Sequence, residues 1–341
     1  MNEGHDQPSG SPAPSSAMDV LSDVLRSIHL SGSMLFLVDA VAPWVSWAPR
    51  AEVFRPAVLP ASQHLVSYHI IIRGQCWAGL RDAPPERFAE GDILVVPHGD
   101  AYFLANPPDA EITYGTDEAV SFFRRMAAGE LPTVVAQCGS GSEPTQFICG
   151  FLGCQMRPFN PVLAALPPMI HLRATTPQNQ RMRHLVDFAL CELREPSPGG
   201  RGVLLRLAEL MFIEVVRACV EDVDDSRTGW LAGLRDPLIA RALHLLHQAP
   251  ARRWTLESLA EQAGASRSVL AEHFGRIVGQ PPMHYLMEWR MQLASRLLAE
   301  PGSKVVAVAA AVGYDSESAF SRAFKKLVGV SPARWRQRGE A

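Results

Sequence analysis

Polar side chains of matching kinds occur twice in the last third of this 341-residue chain, fifty residues apart. Ser266 and Ser316 each open a segment in which apolar residues follow after four, eight and twelve positions, and a Gly and a Pro end the pattern. Such a pattern is typical of a capped amphipathic helix with a polar outer face. A short helix and a turn precede each segment. The sequence therefore predicts two helix-turn-helix units, a common way to place a helix in a groove of DNA.

The outward side chains of the two segments are the candidate DNA contacts. Arg322 has the geometry to form two hydrogen bonds to a guanine, and Glu272 and Glu317 could accept one from a cytosine. Glu272 fits a solvated helix face equally well, because a carboxylate also repels phosphates. The candidate residues are Arg267, Ser268, Ala271, Glu272 and Arg276 in the first unit and Ser316, Glu317, Ser318, Ser321, Arg322, Lys325 and Lys326 in the second.

The remaining parts of the two units follow from caps and breakers. Thr255 is expected to cap the first helix of one unit and Ser303 that of the other, with Gly264 and Gly313 at the turns. Residues 282–299 contain no helix breaker. A helix of that length spans roughly 27 Å, which is close to the ~34 Å repeat of DNA half-sites. One chain is therefore predicted to insert two helices into successive major grooves.

Charge is divided unevenly along the chain. Residues 236–341 carry 14 Lys and Arg against 9 Asp and Glu, a net charge of +5, whereas the whole chain has −3. This asymmetry predicts that phosphates are attracted to the C-terminal end. A structural DNA-binding protein without sequence preference is the alternative, but it would need more phosphate contacts than this modest charge provides.

Residues 309–336, AAAVGYDSESAFSRAFKKLVGVSPARWR, carry the most specific pattern. An Ala-rich helix leads to a Gly-Tyr turn, a Ser-rich cap, Phe-x-x-x-Phe-Lys and Gly-x-x-Pro-x-x-Trp-Arg. This pattern resembles the signature of the AraC/XylS family of bacterial transcription regulators, and the resemblance extends over residues 236–339. It implies two subdomains with recognition helices near residues 266–278 and 316–328, and activation of transcription near a promoter, with RNA polymerase as a partner.

Residues 34–154 consist of short apolar runs broken by Gly, Pro and Asp, which is typical of strands in a sandwich or barrel. Residues 91–106 resemble the second motif of the cupin family, with Tyr102 in the place of its His. Residues 64–74 stand where the first motif should lie, without its His-x-His and following Glu. Residues 18–220 resemble the cupin-type sensor arm of many AraC regulators, which implies effector sensing and dimerisation.

The missing ligands argue against a metal-dependent cupin enzyme, since such a site needs about three ligands. A dioxygenase or isomerase fused to a DNA tether is therefore the weaker alternative, and neither a catalytic role nor a cofactor is expected. The candidates for an effector pocket are His64, His69, Cys76, His98 and Tyr102. Ordinary packing at a turn accounts for His98 and Tyr102 equally well.

Cys149 and Cys154 are a second chemical hint, because some sensors detect oxidants through paired thiols. Five residues apart on a straight strand, they point to opposite faces, so a disulfide would need a bend at Gly150 or Gly153. Two buried structural cysteines are the alternative. The signal that reaches the N-terminal domain is therefore expected to be an effector or a redox change.

Two helices are predicted after the strands, over about 177–193 and 202–221, and the second is expected to form a homodimer or else to cover the barrel. Residues 1–17 are polar and are expected to be disordered, which makes Met18 an alternative start. Six scattered cysteines and no apolar run of membrane-spanning length predict a cytoplasmic protein that does not enter membranes.

The predicted fold is α+β, with an N-terminal cupin-like β-barrel and flanking helices, then an all-α domain of two helix-turn-helix subdomains joined by a long helix. The expected function is a sequence-specific transcription regulator. The expected divisions are a tail at 1–17, a sensor domain at 18–160, a helical linker and dimerisation region at 161–225, and a DNA-binding domain at 236–339.

Overall fold

The computed structural model describes residues 15–27, 30–81, 83–155, 158–222 and 228–339. The described chain forms two compact units, an N-terminal unit from residue 27 to residue 222 and a C-terminal unit of residues 228–339 together with residues up to Arg26. Helix α1 (Ser15–Ser27) belongs mainly to the C-terminal unit and buries Val20 and Val24. It begins three residues before Met18. The rest of the predicted disordered tail lies outside the described residues.

The N-terminal unit is built on two sheets of mostly antiparallel strands. The larger sheet has the order β10-β6-β3-β9-β1-β8, and the smaller one has the order β2-β7-β4-β5. Only β1 and β8 are parallel among the described pairs. The strands are β1 (Leu30–Val41), β2 (Trp44–Ala48), β3 (His64–Arg73), β4 (Gln75–Leu80), β5 (Glu86–Ala89), β6 (Ile93–Val96), β7 (Tyr102–Asn106), β8 (Val134–Cys138), β9 (Pro144–Cys154) and β10 (Ile170–Leu172).

The large sheet is buried on both faces, which explains why its strands read as continuous apolar runs. On β3, Leu65 and Ile71 point into the core between the sheets. Tyr68 on the opposite face lies beside Met211 and Phe212, which belong to a covering helix. The prediction of a cupin-like barrel with flanking helices is confirmed.

Helices pack against the two sheets of this unit. The first three along the chain were not predicted, although the second has a clear helical period in its buried Ala119, Phe123 and Met126. The last two match the predicted helical segments to within two residues. The helices are α2 (Ala51–Val58), α3 (Thr116–Ala127), α4 (Pro161–Ala165), α5 (Pro177–Arg194) and α6 (Gly200–Glu221).

The C-terminal unit is all-α and contains the predicted pair of helix-turn-helix subdomains. Its helices are α7 (Trp230–Arg235), α8 (Pro237–Gln248), α9 (Leu256–Ala263), α10 (Arg267–Val278), α11 (Pro282–Ala299), α12 (Val305–Ala311), α13 (Glu317–Val328) and α14 (Pro332–Gly339). The joining helix α11 has the predicted bounds. Thr255 caps α9 as expected, but Ser303 does not cap α12, because its hydroxyl donates to the carbonyl of Leu298 and Lys304 takes the cap position.

Helix α11 belongs to both subdomain cores. Its first half buries Tyr285 and Trp289 beside the first subdomain, and its second half buries Met291 and Leu298 against α12 and α13. Within the described part of the chain, no helix combines the length and apolarity that crossing a membrane requires.

Gly313 forms the turn of the second subdomain, and a backbone segment from before α9 lies very close to it. Its φ is +82°, and an added Cβ would lie 2.5 Å from the carbonyl oxygen of Ala251. Gly264 has the same φ, but the nearest atom to its added Cβ, on Arg241, is 4.0 Å away. Gly264→Ala should therefore cost about 1–2 kcal/mol for the left-handed backbone alone, and Gly313→Ala about 1–3 kcal/mol more for the clash.

Hydrogen exchange of the α12 and α13 amides in the full chain, read by mass spectrometry, measures the local opening free energy after Gly313→Ala. The α9 and α10 amides give the same quantity after Gly264→Ala. Equal losses for the two variants would mean that the approach of Gly313 to Ala251 has no energetic weight.

Candidate nucleic-acid interface

In each subdomain, one helix buries its inner face in the core and exposes its outer face to solvent. The Ser266 hydroxyl accepts a hydrogen bond from the amide of Val269 at 3.3 Å, and the Ser316 hydroxyl accepts one from Ala319 at 3.2 Å. These caps satisfy amides at the helix starts, as the sequence predicts. Ser316, proposed as a DNA contact, therefore has a structural task as well.

The second of these helices, α13, has a strongly basic outer face. Phe320 and Phe324 are fully buried, and Arg322 lies on the opposite side of the helix because two residues correspond to about 200° of rotation. Arg322, Lys325 and Lys326 are exposed, and none has a hydrogen-bond or ion-pair partner among the described residues. Their charges are thus available to a polyanion.

The first helix, α10, has a different arrangement of charge. The Arg276 guanidinium donates to Nδ1 of His273 at 2.8 Å, and His273 in turn donates to Asp236 at 2.7 Å. Arg267 lies 3.0 Å from the carboxylate of Glu257. Glu272 occupies the position that corresponds to Arg322 after the fifty-residue offset. The cations of α10 are therefore partly committed within the protein.

Asp236 anchors this network. Burial alone would raise the pKa of Asp236, but the amide of Ile239 and the imidazole of His273 donate hydrogen bonds to the carboxylate and hold its pKa below the ordinary value. The carboxylate also caps α8 through the amides of Leu238 and Ile239. One acid therefore fixes the start of α8 and orients His273 on α10.

The other predicted contacts lie on the same two outer faces. Ser268, Glu272, Glu317 and Ser318 are exposed, whereas Ala271 and Ser321 are half-buried. A residue that the sequence reasoning missed is Val269, which is 52% exposed in the first turn of α10. An exposed valine at that position can contact the methyl group of a thymine, and an apolar residue outside the core stripe was the available signal.

Arg290 ties the two subdomains together. Its guanidinium, on α11, donates hydrogen bonds to the carbonyls of Pro250 at 2.7 Å and Arg252 at 2.8 Å, and its carbon centre lies 5.9 Å from the Tyr314 ring centroid. Pro250 and Arg252 belong to the loop before the first subdomain's α9, and Tyr314 belongs to the turn of the second. The one sign of this role in the sequence is an arginine inside a largely apolar helix.

A buried hydrogen-bond network supports the first half of α11. The Tyr285 hydroxyl accepts from the Trp230 indole at 2.8 Å and shares a hydrogen bond of 2.8 Å with Nε2 of His247. His247 stacks on Trp289 with ring centroids 4.1 Å apart. Burial lowers the pKa of His247 to about 3, so the imidazole stays neutral and this connection does not titrate near neutral pH.

The residues proposed for an effector pocket are packed and hydrogen-bonded within the N-terminal unit. His69 and Tyr102 share a buried hydrogen bond of 2.8 Å, and burial lowers the pKa of His69 to about 3. The imidazole of His64 donates to the Pro97 carbonyl, and that of His98 donates to the Leu166 carbonyl. Cys76 is fully buried on β4. Packing of this kind agrees with the alternative interpretation of His98 and Tyr102, while the effector pocket stays a prediction.

Among the residues that the structure describes, no three His, Cys, Asp or Glu side chains converge as ligands for a metal ion. Cys149 and Cys154 are both buried and free. The pairing of β9 with β3 is continuous from Phe147 to Cys154, whereas its pairing with β1 shifts register beside Gly153. Burial raises the pKa of Cys154 to about 12 and that of Cys149 well above its ordinary value. Burial and a raised pKa make a thiol less reactive towards oxidants, and the redox role of this pair stays a prediction.

Comparison with known proteins matches both halves of the chain. The Cupin family model matches residues 19–221, and the Helix-turn-helix domain model matches residues 259–338. A protein of Streptomyces lividans described as an AraC-like transcription regulator is 33% identical over 94% of this chain and 98% of its own length. The HTH-type transcriptional regulator AlkR of Acinetobacter baylyi is 32% identical over 94% and 99%.

Among solved structures, the DNA-binding domain of AdpA, in complex with a target DNA, is 30% identical and covers 30% of this chain and 91% of that chain, with a TM-score of 0.29.

The role of Arg290 leads to the second prediction. Arg290→Met keeps the aliphatic stem but removes the donors to Pro250 and Arg252, so the two subdomains should move more independently. Hydrogen bonds to a charged group contribute about 1.5–3 kcal/mol, so affinity for a duplex that spans both grooves should fall about tenfold or more. Affinity for a duplex with one half-site should change little. Fluorescence anisotropy measures both.

Arg296→Met is the matched control, since Arg296 is exposed on the same helix and has no partner among the described residues. An equal loss on the long and the short duplex would contradict a role of Arg290 in holding the spacing.

Proposed function

The chain belongs to the AraC family of DNA-binding transcription regulators, and from that membership we propose that its two recognition helices read successive major grooves unequally. Helix α13 supplies most of the affinity and the sharpest base selection. Helix α10 adds weaker contacts. The observation that carries this proposal is the contrast between Arg322, which is exposed and unpartnered among the described residues, and Glu272 at the corresponding position of α10.

Electrostatics support this division. Phosphate contacts provide most of the non-specific affinity for DNA, and α13 offers three unpartnered cations against the engaged Arg267 and Arg276 of α10. Hydrogen bonds to base edges provide specificity. A carboxylate at Glu272 would repel phosphate but select cytosine where it reaches a base, so α10 would contribute selectivity at a cost in affinity.

We also propose that the N-terminal unit controls this activity, and that the protein activates transcription by contact with RNA polymerase. Support for activation comes from the family resemblance alone. For the signal itself, an effector is favoured over a redox change, because Cys149 and Cys154 are buried with raised pKa values. A small molecule shifts the equilibrium between two states of different DNA affinity only if it binds one state more tightly than the other.

Homodimerisation through the outer faces of α5 and α6 completes the proposal. Phe188 on α5 is 55% exposed and Leu210 on α6 is 47% exposed. Large apolar side chains exposed on packed helices mark interaction surfaces. The inner face of α6 covers the large sheet through Met211 and Phe212. This helix can therefore cover the barrel with one face and form the dimer with the other. A dimer would double the DNA contacts and favour paired sites.

Arg322→Ala tests the proposed reading of DNA. After the preferred duplex has been selected from a random pool by the full chain, the variant should lose about 1–3 kcal/mol of binding free energy on it and accept other bases at one position. Lys326→Ala, as the control, should weaken all duplexes about uniformly and reduce the salt dependence. If Arg322→Ala weakens every sequence equally, Arg322 contacts phosphate instead of a base.

Phe188→Glu combined with Leu210→Glu tests the dimer. Two carboxylates in an apolar interface should convert a dimer to a monomer at micromolar concentration, as measured by size-exclusion chromatography with light scattering, because uncompensated charges are costly to bury. Val53→Glu is the control, since Val53 is 50% exposed on α2. A wild-type monomer, or an unchanged dimer in the double variant, would rule out this surface.

A further inference from the structure

A cavity of about 310 Å³ lies in the N-terminal unit, and its described lining contains none of the five residues that the sequence suggested for an effector. Edge strands β2 and β8 of the two sheets, together with β1 and α3, form its walls. Cavities of roughly 300–1,000 Å³ with apolar walls and a few polar groups are typical of small-molecule sites. The side chains that give it its character are Phe36, Trp47, Tyr114, Glu118, Phe122 and Gln137.

The aromatic wall is held in place by its own contacts. Phe122 packs edge-to-face on Phe36 with ring centroids 5.7 Å apart, yet it stays half-buried because part of the ring faces the cavity. The Tyr114 hydroxyl accepts a hydrogen bond from the backbone amide of Trp47 at 2.7 Å. Burial raises the pKa of Tyr114, so it adds no negative charge. The wall is therefore preorganised for an apolar body, which would restore the dispersion contacts that an open cavity lacks.

The polar groups of the cavity are the Glu118 carboxylate and the Gln137 amide, together with the hydroxyls of Ser46 and Tyr114 and the indole N–H of Trp47. The Gln137 amide nitrogen donates to the Val45 carbonyl at 2.7 Å, which leaves the amide oxygen without a donor among the described residues. Glu118 is the one Asp, Glu, Lys, Arg or His among the described lining residues. Its carboxylate accepts a hydrogen bond from the Gly115 amide at 2.9 Å but remains exposed. A bound anion would meet this carboxylate without a compensating cation, whereas a cation would be attracted to it.

We propose that this cavity binds a small organic cation, an amine with an apolar and preferably aromatic body, as the effector of the protein. The ammonium group lies at the rim near Glu118, and the body lies against Phe36, Trp47 and Phe122. Aromatic faces attract cations as well, so the walls and the rim select the same charge. The inference rests on the proposed control by the N-terminal unit and specifies its site and ligand class.

Three compounds with a common phenylbutyl body separate the contributions. Phenylbutylamine, phenylbutanol and phenylbutyrate are titrated into the full-length chain and followed by isothermal titration calorimetry. The amine should bind most tightly, the alcohol less tightly, and the carboxylate about tenfold or more below the amine, since like charges placed together are strongly disfavoured.

Two substitutions locate the site. Val135→Trp fills the cavity from β8, because Val135 lines the wall and lies on the same face of the strand as Gln137, and should abolish binding of the amine and the alcohol. Ala127→Trp is the control, because Ala127 is exposed at the end of α3 and outside the cavity lining. Glu118→Gln keeps an acceptor for the Gly115 amide but removes the charge. It should reduce amine affinity about two- to fivefold, the range for exposed ion pairs, and leave the alcohol unchanged.

Failure of the inference and failure of the proposed function give different results. The inference is overturned if neither the amine nor the alcohol binds at millimolar concentration, if the carboxylate binds best, or if Val135→Trp binds as the wild type does. Affinity for the selected duplex, measured on the same preparations without ligand, tests the DNA-reading function separately. Amine binding that leaves this affinity unchanged contradicts the effector role while it supports the site.

Discussion

The spacing of the two recognition helices depends on how α11 is held at both ends. Tyr285 and Trp289 bury one end against the first subdomain, while Met291 and Leu298 bury the other against the second. A helix alone fixes a distance along its axis but leaves each subdomain free to turn about its end. Arg290 restricts that freedom, because it binds the loop before α9 and lies beside Tyr314 in the second turn. The two outer faces can then meet successive grooves in one fixed register.

Similar scaffolds in this protein carry different chemistry. Both subdomains have a serine cap, an apolar stripe and a terminal glycine in the same places, because these local features set the length of a helix. Their outer faces are not constrained by folding in that way. Arg276 is drawn into the chain of hydrogen bonds with His273 and Asp236, whereas Arg322 stays unpartnered among the described residues. The two subdomains therefore have similar folds but different electrostatics on their outer surfaces.

The N-terminal unit shows a related separation between core and surface. Its interior packs His69, Tyr102 and Cys149 so tightly that their acid–base chemistry is suppressed by burial. Open space remains at the barrel edge instead, where β2 and β8 end their sheets and α3 covers the gap. Sheet edges are where a barrel has unfilled positions, because no further strand continues the packing. The cavity and its single lining carboxylate lie there for that reason.

Sequence reasoning recovered the C-terminal unit because its signals are local. The Ser266 and Ser316 caps, the apolar periodicity and the limits of α11 each depend on residues within one or two helical turns. It missed α2 and α3, since short helices inside a strand-rich region were read as more strands, although the helical spacing of Ala119, Phe123 and Met126 was present. It grouped His64, His69 and His98 on residue type alone and could not supply their partners: His69 bonds to Tyr102 of the same group, whereas His64 and His98 donate to backbone carbonyls.

What the sequence by itself determined is the fold class, the pair of capped recognition helices and the family. What only the tertiary structure decided is which charged groups are available and where a ligand can fit. The pairing of Arg290 with Pro250 spans 40 residues, and that of Trp47 with Tyr114 spans 67. Whether a guanidinium is already bound, or a ring faces an open space, depends on neighbours that folding brings from distant parts of the chain. Local periodicity carries no information about such neighbours.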